Sequence, residues 1–230
     1  MRESPSTGTR PVARPAPLRQ AVYDALAELI ANGTLRPGQH LVESDLAEYL
    51  GVSRQPIREA LQRLQGDGWV ELRPAHGAFV HTPTEEEIVH LLGERSVLEA
   101  YSAHGAAQHA IPADIARLRE LQAAGEAALA ADDARGLVDA NTAFHSYLVH
   151  ISGNKVLADL ISQVERRVRW YFMPTALPRG TDAWAEHASV IAAIADGDAE
   201  RAQRLMRDHT ERTTEFYRQD AVTPAQAPVG

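Results

Sequence analysis

The stretch that most constrains this chain runs from Glu43 to Leu64, ESDLAEYLGVSRQPIREALQRL. Leu46, Ala47 and Leu50 form an apolar set at helical spacing, and Gly51 ends that helix where a left-handed residue costs little. Ser53 then stands as an N-cap, and Ile57, Ala60, Leu61 and Leu64 supply the buried stripe of a second helix. Pro56 falls in that helix's first turn, where a missing backbone N–H is tolerated. Arg54, Gln55 and Arg58 lie outside the stripe on the N-terminal turns. Two short helices at this spacing predict a helix-turn-helix, whose second helix offers its N-terminal residues to the DNA major groove. The competing reading is a plain helical hairpin with a solvated basic face.

The residues after Leu64 favour the helix-turn-helix. Gly68–Leu72 and Gly77–His81 are two short strand-like runs joined by Arg73-Pro74-Ala75-His76. Helix, turn, helix and β-hairpin in that order describe a winged helix. The net charge of −8 argues against nucleic acid only until it is placed. Residues 1–16 carry +2, residues 17–81 carry −2, and residues 82–230 carry the remaining −8. The acidity sits away from the presumed contact surface, and local placement governs the field that DNA meets. For Arg63 and Arg73 a solvated-face reading is at least as good, and Gly77 reads equally well as a turn residue with positive φ.

The remaining composition narrows the class. There is no cysteine, so neither a disulfide framework nor thiol chemistry. No apolar run approaches the roughly 20 residues that span a bilayer, and the N-terminus lacks an apolar signal core. The expected location is cytoplasmic, with no membrane partner.

Residues 1–16 are rich in Pro, Ser and Arg and are expected to form a disordered arm. Residues 17–81 make up the winged helix-turn-helix, beginning with an amphipathic helix through Leu18, Val22, Leu26 and Ile30 and a short extended piece at Gln39–Val42. From Thr84, a capping-box start, the pattern is helical without strand signals. Residues 84–220 predict an antiparallel bundle of six or seven helices, interrupted by Pro174 and Pro178, and residues 221–230 a flexible tail. The expected fold class is mainly α.

Ten histidines are present, and a histidine in a helix is more often exposed or a satisfied core residue. His104, His109 and His150 read that way. Asn141 and His145 stand at i and i+4 and share a helical face. His187 and His209 each lie eleven residues from Asp198, where the last two helices turn. In an antiparallel hairpin equal distances from the turn give equal depth, roughly 16 Å down each helix. Three imidazoles and an amide oxygen then converge from three helices, as metal sites in bundles do.

The run GTLRPGQHLVESDLAEYLGVSRQPIREALQRLQGDGWVELRPAHGAFV resembles the DNA-binding domain of the GntR family of bacterial regulators. By that resemblance Arg54 and Arg58 contact bases or phosphates with Gln55 and Pro56 beside them, and His76 and Gly77 form the wing tip. Some relatives place a DNA-contacting arginine where this chain has Ser44. The C-terminal 135 residues resemble the FCD effector domain of the FadR branch. Metal-binding members show D/N-x-x-x-H followed by a histidine on each of two later helices. Asn141, His145, His187 and His209 fit that pattern, with Asn141 where Asp is more usual. Arg95 matches an arginine that the family points into the same pocket.

The resemblance implies a regulator that binds a palindromic operator as a homodimer, with repression the expected sense of control. It also implies one divalent ion per subunit (Zn²⁺, Ni²⁺ or Mn²⁺) and a small organic acid as effector, clamped by Arg95. Two alternatives stay open. In one the site senses the metal without an organic effector. In the other the bundle is a metal-dependent enzyme that the winged helix localises, with Glu99 as a nominal base.

Overall fold

The computed structural model describes residues 16–172 and 176–221. It divides into two compact units, residues 1–82 and 83–230.

In the first unit, α1 (Ala16–Ala31) packs on a helical hairpin of α2 (Glu43–Leu50) and α3 (Arg54–Gly66). The predicted stripe is the core: Val22, Leu26 and Ile30 of α1 are buried, as are Ile57, Leu61 and Leu64 of α3. Gly51 ends α2 at φ 66°, the left-handed conformation that lacks a Cβ penalty in glycine. Ser53 occupies the N-cap position of α3, but its side chain makes no capping bond. A three-stranded antiparallel sheet completes the unit, with β1 (His40–Leu41) and β2 (Val70–Arg73) flanking β3 (Gly77–Val80). The register pairs Arg73 with Gly77, which closes the wing around Pro74, Ala75 and His76. Gly77 has φ 91°, and a Cβ there would stand 2.9 Å from the His40 ring. The turn needs its backbone, and the neighbouring imidazole needs its missing side chain.

The second unit holds six helices among the described residues: α4 (Glu85–His109), α5 (Pro112–Ala130), α6 (Ala134–Ile151), α7 (Lys155–Phe172), α8 (Ala176–Ala195) and α9 (Ala199–Ala221). The capping box at Thr84 forms in full. Its Oγ1 accepts from the Glu87 N–H at 3.2 Å, and Glu87 Oε2 accepts from the Thr84 N–H at 2.8 Å. Asp133 caps α6 by accepting from the Gly136 N–H at 2.9 Å. Pro178 does not break the chain as its sequence position implied. It sits in the first turn of α8, where the N–H it lacks has no helical partner anyway. Pro174, residues 1–15 of the expected arm and residues 222–230 of the expected tail lie outside the described residues, and Ala16 already belongs to α1.

The bundle closes on small residues. Ala100, Ala103 and Ala106 of α4 are fully buried, which lets the helix backbones approach closely, and Leu118, Phe144, Leu148, Val190 and Met206 fill the core. Gly125 of α5 lies flat against Trp184 of α8, so near that a Cβ would fall 1.9 Å from the indole. These packings set the depth at which α6, α8 and α9 present their histidines.

Candidate metal centre and nucleic-acid interface

His145 comes from α6, His187 from α8 and His209 from α9, and each offers a ring nitrogen within 4.8 Å of the others. All three are buried. Phe144 stacks on the His187 ring at 4.2 Å, and Trp184 meets it edge-on at 4.7 Å, so an apolar wall fixes that imidazole. His187 Nε2 and His209 Nε2 are 3.2 Å apart. Two nitrogens on one tetrahedral ion, each at about 2.1 Å, stand roughly 3.4 Å apart. That pair already has ligand spacing, although a neutral imidazole donating to its neighbour would stand at the same distance.

Carboxylates lie behind two of the rings. Glu186 Oε2 is 2.8 Å from His209 Nδ1, so the Nδ1–H donates to it and Nε2 is left with its lone pair. Arg179 Nη2 and Arg212 Nη1 hold the same carboxylate. Glu99 Oε2 lies 2.9 Å from His145 Nδ1, but off the line of a hydrogen bond, so neither His145 ring nitrogen is hydrogen-bonded. His187 Nδ1 is likewise buried without a partner. Buried polar atoms are rarely left so. Three orphaned nitrogens beside a converging triad, with carboxylates behind, is a donor set that fits a divalent ion.

Electrostatics keep the imidazoles neutral, the form that binds metal. Burial lowers the His145 pKa, with Glu99 pulling the other way. Burial and the two neighbouring histidines push His187 well down. Burial brings His209 to about 4 despite Glu186. Burial would raise Glu99, but Arg95 and His145 outweigh it and the carboxyl sits at about 2.

Arg95 is buried on α4 and donates its Nε–H to Glu99 Oε1 at 2.6 Å. Glu99 therefore neutralises Arg95 and abuts His145, a linking role rather than that of a free base. Arg95 shares a cavity with Asn141, His145, Thr142, Glu165 and Arg169. Its free volume is about 10 Å³, room for about one water. A much larger concavity, lined by α4 and α9, contains none of the histidines. Asn141 is buried beside His145 in the cavity wall. Sequence reasoning missed Glu186, Glu165 and Arg169. Glu186 adjoins His187 in sequence, but its reach to His209 depends on the α8–α9 register.

In the other unit, Arg54, Gln55, Arg58, His76 and Gly77 are exposed and Ser44 is half-buried, whereas Pro56 is buried in the α3 core face. Arg58 is gripped by Glu43 through Nε at 3.0 Å and Nη2 at 2.8 Å. Arg54 makes no hydrogen bond or ion pair among the described residues. Arg63 and Arg73 are engaged within the unit, over the rings of Tyr23 and Phe79.

Comparison with known proteins agrees with both halves. Residues 18–80 match the family described as bacterial regulatory proteins, gntR family, and residues 87–212 match the FCD domain. The chain is 25% identical over 208 residues to the HTH-type transcriptional regulator YdhC of Bacillus subtilis, covering 89% of this chain and 93% of that one. It is 24% identical over 206 residues to the HTH-type transcriptional repressor RspR of Escherichia coli, covering 88% and 90%. A GntR transcriptional regulator from Rhodococcus sp. RHA1, known from its crystal structure, superposes with a TM-score of 0.75 at 28% identity, covering 87% of this chain and 97% of that one. These relatives are regulators, which sets the enzyme reading aside. No helix among the described residues is long and apolar enough to cross a membrane. The chain belongs to the GntR family of bacterial transcription regulators, with a C-terminal FCD effector-binding domain.

Proposed function

We propose that this regulator is a homodimeric, cytoplasmic repressor whose grip on a palindromic operator is set by a small carboxylate at a divalent metal site. The buried triad of His145, His187 and His209 carries the reading. Those three would hold the ion, with Asn141 as an oxygen donor from the adjoining wall. When bound, Zn²⁺, Ni²⁺ or Mn²⁺ supplies open coordination positions to a carboxylate. Asn141 is a neutral amide and a weaker ligand than the Asp usual in relatives, which lowers the expected affinity. Glu186 orients the His209 imidazole from behind, and Glu99 lies beside His145 without a hydrogen bond to it. Arg95 is poised to clamp the acid while its own charge is shared with Glu99.

The free volume beside Arg95 is smaller than any organic acid, so binding requires the α4, α6 and α7 walls to part. That displacement gives a ligand the differential contact it needs to shift a two-state protein. It runs along α4, whose N-terminus comes directly after the winged helix in sequence. RspR is a repressor, which favours repression here. For dimerisation, Val97 and Tyr101 on α4 and Val156 and Leu160 on α7 are each more than half exposed, one turn apart on helices that pack together. On the DNA side, Arg54 is available as it stands. Arg58 must exchange or share Glu43 to reach a base or phosphate, with Ser44, Gln55, Pro56, His76 and Gly77 framing the contact.

The tightness of the cavity also favours a second reading, in which the metal itself is the signal. Operator binding measured by fluorescence anisotropy, across a panel of small organic acids with and without chelator, separates the two. The first reading expects operator affinity to respond to an acid only when metal is present. A response to metal and to no acid supports the second, and indifference to both overturns each.

A further inference from the structure

The ion pair of Glu43 and Arg58 joins the first residue of α2 to the second turn of α3. Glu43 Oε1 accepts from Arg58 Nε at 3.0 Å and Oε2 from Nη2 at 2.8 Å, so both bonds use one edge of the guanidinium. With the Arg58 side chain 57% exposed and that of Glu43 33% exposed, the pair has little weight in stability. Nor is Glu43 needed to complement the positive end of α2, because Asp45 stands in the same turn. What the contact fixes is orientation. A guanidinium presents five N–H groups in a rigid plane. With the Nε edge taken, one Nη2–H and both Nη1–H groups remain, and Nη1 has no partner among the described residues. The free end is a two-pronged donor. Both residues line a cleft of about 590 Å³ between α3 and the wing, with Leu72, Pro74 and Ala75 on the wing side.

We infer that Glu43 is a positioning residue for operator recognition: it stays on Arg58 in the complex and aims the Nη1–Nη2 end at O6 and N7 of a guanine in the major groove. The inference rests on Arg58 reaching DNA, and adds what the arginine reads and what holds it there. Two acceptors side by side match a two-pronged donor, the pairing by which arginine singles out guanine. The hydrogen bonds from Arg58 hold the Glu43 carboxyl below its usual range against the opposing effect of burial, so the pair as a whole is neutral. A neutral pair gains little from a phosphate, whose charge also meets the carboxylate. Toward an uncharged base edge it keeps its directed donors. Arg54 has no such partner and retains its full charge. Without the carboxylate, Arg58 swings freely between base and phosphate, and discrimination gives way to general affinity, since phosphate contacts carry no sequence information.

The test uses the full chain, first to select a duplex from a randomised library and then in fluorescence anisotropy on that duplex and its single-base variants. Arg58→Ala should erase a preference for guanine over adenine at one position, a preference of about tenfold or more in the unaltered chain. Glu43→Gln should cut the same preference by at least about threefold. Binding of that variant to a duplex of unrelated sequence should strengthen, and its log–log salt slope should steepen by about 0.9, the share of one further phosphate. In the Arg58→Ala background Glu43→Gln should leave the slope as it was, because the extra contact needs the arginine. A carboxylate that only repels DNA predicts otherwise: tighter binding to every duplex, with the guanine preference intact. That result overturns the inference, as does equal steepening without Arg58 or a base other than guanine at the Arg58 position. Unchanged binding by Arg58→Ala takes the arginine out of the interface and overturns the contact together with the role of Glu43. Glu43→Ala, scored in the same way, serves if Glu43→Gln does not fold.

Discussion

Replacing Glu99 by Gln removes the charge that Arg95 and His145 share, and its cost can be worked from the geometry. Arg95 and Glu99 are one helical turn apart with side chains 4% and 2% exposed, so bulk water cannot take the carboxylate's place. Removing one partner of a buried pair costs about 3–5 kcal/mol, because the survivor stays charged and desolvated. Glutamine keeps an acceptor for the Arg95 Nε–H, which sets the expectation at the lower end, about 3 kcal/mol. For a unit of this size that is a fall of roughly 6–12 °C in the melting midpoint. Urea unfolding at fixed protein concentration with chelator present reads it, since metal or dimer linkage would otherwise mask the loss. Tryptophan emission is a suitable probe, because two of the three tryptophans, Trp170 and Trp184, lie in the same unit. The double variant Arg95→Met, Glu99→Leu should recover most of the lost stability, since replacing both charges by apolar groups leaves none unpaired. A loss below about 1 kcal/mol for Glu99→Gln would refute the assignment of Glu99 as the buried counter-ion of Arg95.

Three further outcomes rest on the same structure. The His209 pKa falls from 6.5 in the unfolded chain to about 4 when folded, so the unfolded state binds the extra proton between those values. Stability of the metal-free protein is therefore full above pH 6.5 and declines as pH drops toward 4, by about 3 kcal/mol for this histidine alone; a flat profile across that window would contradict the burial argument. Glu186→Gln removes the carboxylate behind His209 and should weaken metal binding by about 10–100-fold, read by competition with a chromophoric chelator. Gly125→Ala drives a methyl into the Trp184 indole and should destabilise the second unit by about 3 kcal/mol, with a shift in tryptophan emission.

The winged helix was legible almost residue by residue, because its hairpin is local. The stripe of Ile57, Leu61 and Leu64, the left-handed Gly51 and the wing turn all report on neighbours a few residues away. The histidine cluster was legible for a different reason. Equal spacing of His187 and His209 from Asp198 fixes their depth in any antiparallel hairpin, and Asn141 with His145 shares a face by helical periodicity. Glu186 and Glu165 were not legible. Whether a carboxylate beside a ligand points at the same site or across the helix depends on rotation about the helix axis, and packing sets that rotation, here Phe144 and Trp184 on His187. Pro178 misled for a related reason: proline ends a helix or begins one, and only the position of α8 decides which. The grip of Glu43 on Arg58 was hidden too. Charge counting marks both residues as exposed, but says nothing of a two-point contact between α2 and α3.

The claim on which the rest depends is that His145, His187 and His209 hold a divalent ion. Elemental analysis of the purified chain, dialysed against each of Zn²⁺, Ni²⁺ and Mn²⁺ and then passed over a desalting column, tests it directly. The expected result is about one equivalent per subunit of at least one of these metals, falling to background in His187→Ala while the fold is retained. No retained metal, or an equal amount in the variant, would contradict it.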